Sequence, residues 1–367
     1  MISDMTSLCR SLKIEYPIVQ SGMGRVAGPQ LVGAVARAGG LGILAGLNLT
    51  PDDLREQIRH VRELTTGTFG VNLWLHPDLH PPIDPSSVPA QDVVAVTAAL
   101  NRARAAIGLP ESVAPPSPRP DTIDDAIDVI LDEQVPVWSI ALGLPTAEMI
   151  SRCHDRGVRV MLMVANVDDA RTAANLGVDF IVAQGAEAGG HRSRWRENAP
   201  ADVGALALVP EVVDAVRVPV IAAGGIADGR GLVAALALGA AGVLMGTRFV
   251  ATRESMAPEF WKQRILAAAS DETMVTTAFT GLRARVLRSQ FAQDYAASGA
   301  PVLPGLLQAA LEQDIWSAAS KENRPDYFPL YAGQSVGLIR ALPGAEEVVG
   351  AIVEEAKSAL GRLRNVL

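Results

Sequence analysis

The chain has 367 residues, 49% of them apolar, a formal net charge of −8 and only two cysteines, Cys9 and Cys153. An acidic balance argues against a nonspecific nucleic-acid binder, whose surface concentrates basic side chains, so a small-molecule partner is the expectation. Two cysteines with neither a CxxC pair nor ligand spacing give no basis for a disulfide framework or a thiolate metal site.

From the N-terminus, MISDMTSLCRSLKIEYP shows neither the basic and apolar regions of a signal peptide nor a membrane span. The expectation is a cytoplasmic protein without membrane contact. Short apolar runs then alternate with helix-period segments, the pattern of βα units whose parallel strands are covered on both faces. Strands are expected at 17–20, 41–45, 69–74, 135–140, 158–164, 179–184, 218–225 and 241–246. The helical segments between them, such as PDDLREQIRHVREL and DGRGLVAALALG, begin with proline or aspartate or end near glycine. After the third strand, at about 76–121, proline-rich HPDLHPPIDPSSVPA and GLPESVAPPSPRPD flank the helix AQDVVAVTAALNRARAAIG, an excursion at the barrel mouth. Past the eighth strand, APEFWKQRILAAAS, LPGLLQAALEQDIWSAAS and GAEEVVGAIVEEAKSALGRLRNVL read as helices, and no further strand pattern is strong.

Eight parallel strands suit a closed TIM (β/α)8 barrel. An open doubly wound sheet more often has five or six strands and carries its phosphate loop after the first. Here the glycine loops are densest after strands six to eight, which favours the barrel with a mostly helical C-terminal extension or lid. The expected division is a barrel over 1–252, a helical lid and substrate segment over 253–330, and a C-terminal segment and helix over 331–367 packing back on the barrel.

Gly224 and Gly225 after strand seven, and Gly246 and Thr247 after strand eight, offer bare backbone amides where barrels build a phosphate cradle; the alternative is that they only make tight turns. Ser21, Gly22, Met23 and Gly24 after strand one, with Asn72 in strand three, suit a flat ring laid over bare backbone. In AQGAEAGGHRSRW a single histidine, His191, ends a glycine-rich loop. Glu187 in that loop reads more readily as a surface or packing carboxylate than as the partner orienting His191. His60 and His154 fall in helix patterns, His76 and His80 in the proline-rich excursion.

PIVQSGMG, AGGLGILA, FGVNLW, AQGAEAGGHRS, IAAGGIADGR, GVLMGTRF and PLYAGQSVGLI run in order over nearly the whole chain. With them the sequence resembles the flavin-dependent nitronate monooxygenases, formerly called 2-nitropropane dioxygenases, a family that includes related flavin enoyl-thioester reductases. The resemblance implies an FMN-binding barrel without a metal. Carried over, Gly22, Met23 and Gly24 line the isoalloxazine and Asn72 and Gln184 hydrogen-bond it. Gly189, Gly224, Gly225, Gly246 and Thr247 surround the ribityl phosphate, and His191 matches the family's catalytic base. A histidine, with an ordinary pKa near 6.5, can take a proton from carbon beside a nitro group or, once protonated, hold an anionic nitronate.

The chain departs from the resemblance at Arg25, where small residues are common, which makes its guanidinium a candidate to touch the reduced ring or an anionic substrate. Arg192 and Trp195 in HRSRWRE are candidates to grip coenzyme A or a nicotinamide nucleotide, against the plainer reading of a solvated basic loop. Three functions follow: oxidation of alkyl nitronates with O2 to carbonyl compounds and nitrite, NAD(P)H-driven reduction or desaturation of an acyl thioester, and a flavin or phosphate sensor without catalysis. A homodimer is compatible with each.

Overall fold

A computed structural model of the chain describes residues 6–117, 120–196, 201–304 and 306–364. The ends of the expected N- and C-terminal segments, two residues of the proline-rich excursion, the stretch 197–200 after the basic loop and residue 305 in the expected second-to-last helix lie outside it. Strands follow in chain order as β1 (Ile18–Gln20), β2 (Leu41–Ala45), β3 (Phe69–Trp74), β4 (Val137–Ala141), β5 (Arg159–Val164), β6 (Phe180–Gln184), β7 (Gly190–His191), β8 (Val220–Ala223), β9 (Gly242–Met245), β10 (Thr273–Thr276) and β11 (Ala284–Leu287). Strands β1 to β6, β8 and β9 close into a parallel barrel, β9 pairing with β1 through Ile18 and Val243.

Period-2 alternation sends one set of side chains into this barrel and the other beneath the helices, so both sets are apolar. Val19, Ile43, Met161, Phe180, Ile221 and Leu244 fill the interior, joined by Leu8 and Leu12 from the short helix Ser7–Leu12. Leu8 lies against Gly242, the first residue of β9, where a Cβ would come within 2.6 Å of it. This helix therefore plugs the N-terminal end, and any cavity is left to the C-terminal end of the strands. The covering helices start on side-chain caps: Thr50 accepts from the Asp53 amide, Thr146 from Met149, Asn166 from Asp169 and Asp228 from Arg230 and Gly231. The final helix, Ala345–Arg364, lies on helices Pro29–Arg37 and Gly229–Ala237, and Gly229 donates its N–H to Glu355 at 2.9 Å.

Two features differ from the sequence pattern. The C-terminal extension, mostly helical, also contains β10 and β11, which with β7 form an antiparallel sheet in the order β10-β11-β7. The run expected as a single helix from about 303 to 320 is two, Leu307–Leu311 and Gln313–Lys321, broken at Glu312. Glu312 is fully buried, accepting from Gln308 Nε2 at 2.9 Å and Trp316 Nε1 at 3.1 Å, and Gln308 also donates to Ala278 O. Burial holds this carboxyl well above the usual carboxylate range. Beside it, buried Arg104 of helix Ala90–Ala106 donates to Asp314 at 2.7 Å and 3.1 Å, tying the excursion to the C-terminal helices. A pKa raised on folding contributes stability that is full below the unfolded value near 4.3 and is lost as pH rises through the folded value. Glu312→Gln keeps the shape and removes the titration. Its thermal midpoint should therefore fall less than the wild type's between about pH 5 and pH 9; equal slopes would show that folded Glu312 holds its proton no more tightly there than the unfolded chain does.

Candidate active site

The C-terminal ends of the barrel strands and the C-terminal helices enclose a cavity of ≈ 670 Å³, within the range of cofactor and small-molecule sites. Its floor comes from β1 and β3. The backbone at Gly22 lies so close to β3 that a Cβ would stand 2.4 Å from Asn72 Cβ. Buried Asn72 donates through Nδ2 to Ser139 O at 3.1 Å and Ser139 Oγ at 3.2 Å, which fixes the amide and leaves Oδ1 as an acceptor. Met23 and Gly24 continue the floor, and Met23 Sδ is the nearest atom to the position a Cβ on Gly246 would take, at 3.5 Å.

At one corner the glycines of three loops meet. Gly224 and Gly225 hold φ of 98° and 74°, the left-handed region that side chains disfavour, so the chain after β8 turns with its backbone bare. A Cβ on Gly189 would stand 2.5 Å from Gly333 N, and Gly333 N donates to Thr247 Oγ1 at 2.9 Å. Gly246 precedes the one-turn helix Thr247–Val250, whose first N–H groups have no intrahelical acceptor. Gly189, Gly224, Gly225, Gly246 and Thr247 thus line one corner, where a negatively charged group would meet backbone amides and the Thr247 hydroxyl. A bare floor next to an anion corner fits a flat ring carrying a phosphate.

Across the floor stands His191. The glycine-rich loop that carries it is fixed by its neighbours. Gln184 donates to His191 O at 2.9 Å and accepts from Ser193 N at 2.8 Å, Ser193 Oγ donates to Met163 O at 2.9 Å, and His191 pairs with Ala284 across β7 and β11. Gln184 lines the cavity, and one donor and one lone pair of its amide already serve this loop, leaving one of each. The imidazole packs edge-on to Trp74, with centroids 4.7 Å apart, and lies 5.3 Å from the Tyr331 ring. His191 Nε2 is 2.9 Å from Thr280 Oγ1, and Nδ1 has no protein partner among the described residues. Burial, reinforced by the Arg192 and His76 charges, lowers the imidazole to about 3. His191 is therefore neutral at ordinary pH and offers a hydrogen bond instead of a charge.

Two expectations are corrected. Arg192 is buried: its guanidinium donates to Gly185 O at 3.0 Å and to Ala188 O, bracing the loop, and it does not line the cavity. Trp195 is half-buried against the core and also lies off the cavity wall. Glu187, read as a packing carboxylate, is one: its two oxygens accept from Ala205 N at 3.0 Å and 2.9 Å, capping helix Ala205–Ala215. Arg25 does line the cavity, at its mouth. Thr280, Trp74, Tyr331 and Ser139 were not singled out in the sequence. Of these Trp74 and Tyr331 had a signal, their places in FGVNLW and PLYAGQSVGLI, and Thr280 reaches His191 through the unforeseen β11–β7 pairing.

The family model for nitronate monooxygenase matches residues 5–355. A probable nitronate monooxygenase of Staphylococcus aureus (strain Newman) is 35% identical over 350 residues, spanning 95% of this chain and 96% of the relative. Among solved structures, nitroalkane oxidase from Streptomyces ansochromogenes superposes with a TM-score of 0.87 at 34% identity, covering 97% of this chain and 99% of that one. FabK from Thermotoga maritima gives a TM-score of 0.78 at 33% identity, with 99% of both chains covered.

Proposed function

Since the chain belongs to the nitronate monooxygenase family and is an oxidoreductase, we propose that it binds FMN and oxidises alkyl nitronates with O2 to carbonyl compounds and nitrite. The observation carrying the reading is the join of three surfaces in one cavity: the bare floor at Gly22 to Gly24, the anion corner at Gly224, Gly225, Gly246 and Thr247, and neutral His191 opposite. The phosphate of FMN would sit in the corner, and Asn72 and Gln184 would meet the ring edge with the acceptor and donor they have left. Bound there, FMN supplies the electron acceptor for the substrate.

The chain's own residues hold the substrate and manage its proton. Thr280 Oγ1 has two settings. With its proton toward Leu282 O, 3.3 Å away, it accepts from His191 Nε2–H and leaves a lone pair on Nδ1. Turned to donate to Nε2, it leaves Nδ1–H as a donor. The first setting suits taking a proton from a neutral nitroalkane, but a base lowered to about 3 is poorly matched to a weak carbon acid. The second suits donating to the oxygen of a nitronate that arrives as an anion, and we assign His191 that role. Trp74 and Tyr331 pack on the imidazole and exclude water from it.

The thioester alternative needs a grip on a large anionic carrier, and the residues expected to supply it, Arg192 and Trp195, are off the cavity. Anaerobic mixing of the yellow protein with an alkyl nitronate, and separately with NADH or NADPH, separates the two. Bleaching by the nitronate is expected. Bleaching by the nicotinamide alone would replace this reading with the reductase, and protein that never retains flavin would leave only the sensor.

A further inference from the structure

A cavity meant for an anion needs to offset the cost of stripping that anion of water. Here the wall does little of this. His191 is neutral, and among the described residues lining the cavity Arg25 is the one Lys, Arg, Asp or Glu side chain.

Its placement is specific. The chain leaves β1 and reverses at Met23, whose carbonyl accepts from Val26 N at 3.1 Å and from Ala27 N at 2.9 Å. Arg25 is the third residue of this turn and has φ of 60°, a conformation usually given to glycine or asparagine. That backbone carries the guanidinium across the mouth to the helix Gln313–Lys321, where Nη2 donates to Gln313 Oε1 at 3.0 Å and the cation lies 5.3 Å from the Trp316 ring centroid. The indole is itself fixed by its N–H bond to buried Glu312. Gln313 occupies one N–H donor of the guanidinium; the other donors remain for a ligand. Burial holds the Tyr331 phenol well above its usual range while the Arg25 charge pulls the other way, so the cation is felt at the ring that lies tilted against His191.

We propose that Arg25 is the specificity-determining residue of this site, drawing in the anionic form of the substrate and rejecting the neutral nitroalkane. The identity of the anion as a nitronate rests on the reading above; the anion preference rests on the cavity. The whole molecule carries a net charge of −8 and repels anions at long range, so a local cation at the mouth decides the approach. Trp316 and Gln313 hold the side chain extended over the entrance, where a nitro or nitronate oxygen pair must pass. A neutral nitroalkane gains nothing from this charge.

Nitrate, planar, anionic and unreactive, serves as the probe. It is titrated into the FMN-loaded protein at fixed ionic strength while the flavin absorbance is followed. Arg25→Asn removes the charge with a residue that tolerates the turn's left-handed position, and Arg25→Lys keeps the charge. Wild type should bind nitrate, Arg25→Asn about tenfold or more weakly, and Arg25→Lys should recover most of the loss. With propyl-2-nitronate the Asn variant should raise KM in parallel and change kcat far less. A variant-free measurement adds a sign: as ionic strength rises, wild-type kcat/KM should fall, because a nearby attraction is screened, whereas domination by the net charge would make it rise. Equal nitrate affinity in wild type and Arg25→Asn, no nitrate response in wild type, or a rising salt profile would each overturn the proposal. Intact nitrate discrimination in a protein that turns over no nitronate would remove the nitronate reading and leave Arg25 as the anion selector.

Discussion

Replacing His191 with alanine should leave the protein yellow and lower kcat/KM for an alkyl nitronate by on the order of 10- to 100-fold. The magnitude follows from the bond at stake: a hydrogen bond to a charged group contributes about 1.5–3 kcal/mol, and each 1.4 kcal/mol is a factor of ten. Colour should persist because the imidazole makes no contact with the anion corner and holds its loop mainly through its backbone, which alanine keeps. The pH profile adds a sign. An imidazole lowered to about 3 stays neutral across the usual range, so kcat/KM for preformed nitronate should show no inflection near 6.5, and protonation near the folded pKa would keep the Nδ1–H donor and add a charge that favours the anion. An inflection near 6.5 in wild type that vanishes in His191→Ala would mean that the imidazole works as a cation, and the hydrogen-bonding role assigned to it would fail. Unchanged turnover in the variant would remove His191 from the reaction altogether. Thr280→Val should move the same way as His191→Ala, though less, since it deletes the hydroxyl that sets the ring's tautomer and leaves the ring in place.

The same loop shows how far residue types alone carry a structural argument. The eight barrel strands are mostly apolar runs bounded by turn residues, so their existence, and their limits to within about two residues, follow from burial on two faces. The glycines of the anion corner were legible for a similar reason: two bare βα turns on consecutive strands must lie side by side once the barrel closes. Arg192 was not legible. Next to His191 and among other arginines it has the composition of a solvated rim, yet two carbonyls exposed by the turn at Gly185 and Ala188 require a buried donor, and a guanidinium can reach both. Glu187 is the converse case, its carboxylate drawn to the free N–H at the start of helix Ala205–Ala215. Strands β10 and β11 have four residues each, too few for alternation to stand out, and β11 finds its partner β7 far back in the chain. Thr280 sits in the connection between those two strands, so its meeting with His191 depended on a pairing that local pattern could not supply.

The anion corner can be tested at one position without disturbing the fold. Substituting Gly224 or Gly225 confuses two effects, because φ of 98° and 74° strain any side chain by about 1–2 kcal/mol whatever the corner binds. Gly189 is closed by Gly333 N at 2.5 Å, so a side chain there displaces backbone. Gly246 differs on both counts. Its φ of −100° and ψ of −75° are open to any residue, and the Cβ of a substituent would meet only Met23 Sδ, at 3.5 Å. Gly246→Leu should therefore fold with a thermal midpoint close to that of the wild type in the absence of flavin. Its leucine would occupy the space between the floor at Met23 and the first amides of helix Thr247–Val250, where the proposed FMN would put its phosphate and the chain leading to it. Forcing a side chain into an occupied site costs about 1–3 kcal/mol or more, so the dissociation constant for FMN, read by quenching of flavin fluorescence, should rise by about 10- to 100-fold. Riboflavin, which lacks the phosphate, separates steric from electrostatic loss: if the corner binds the phosphate, wild type should prefer FMN over riboflavin strongly and Gly246→Leu should narrow that preference. Equal FMN affinity in the two proteins would mean that the cofactor lies elsewhere in the cavity, and the roles given to Asn72, Gln184 and His191 would have to be rebuilt around its new position.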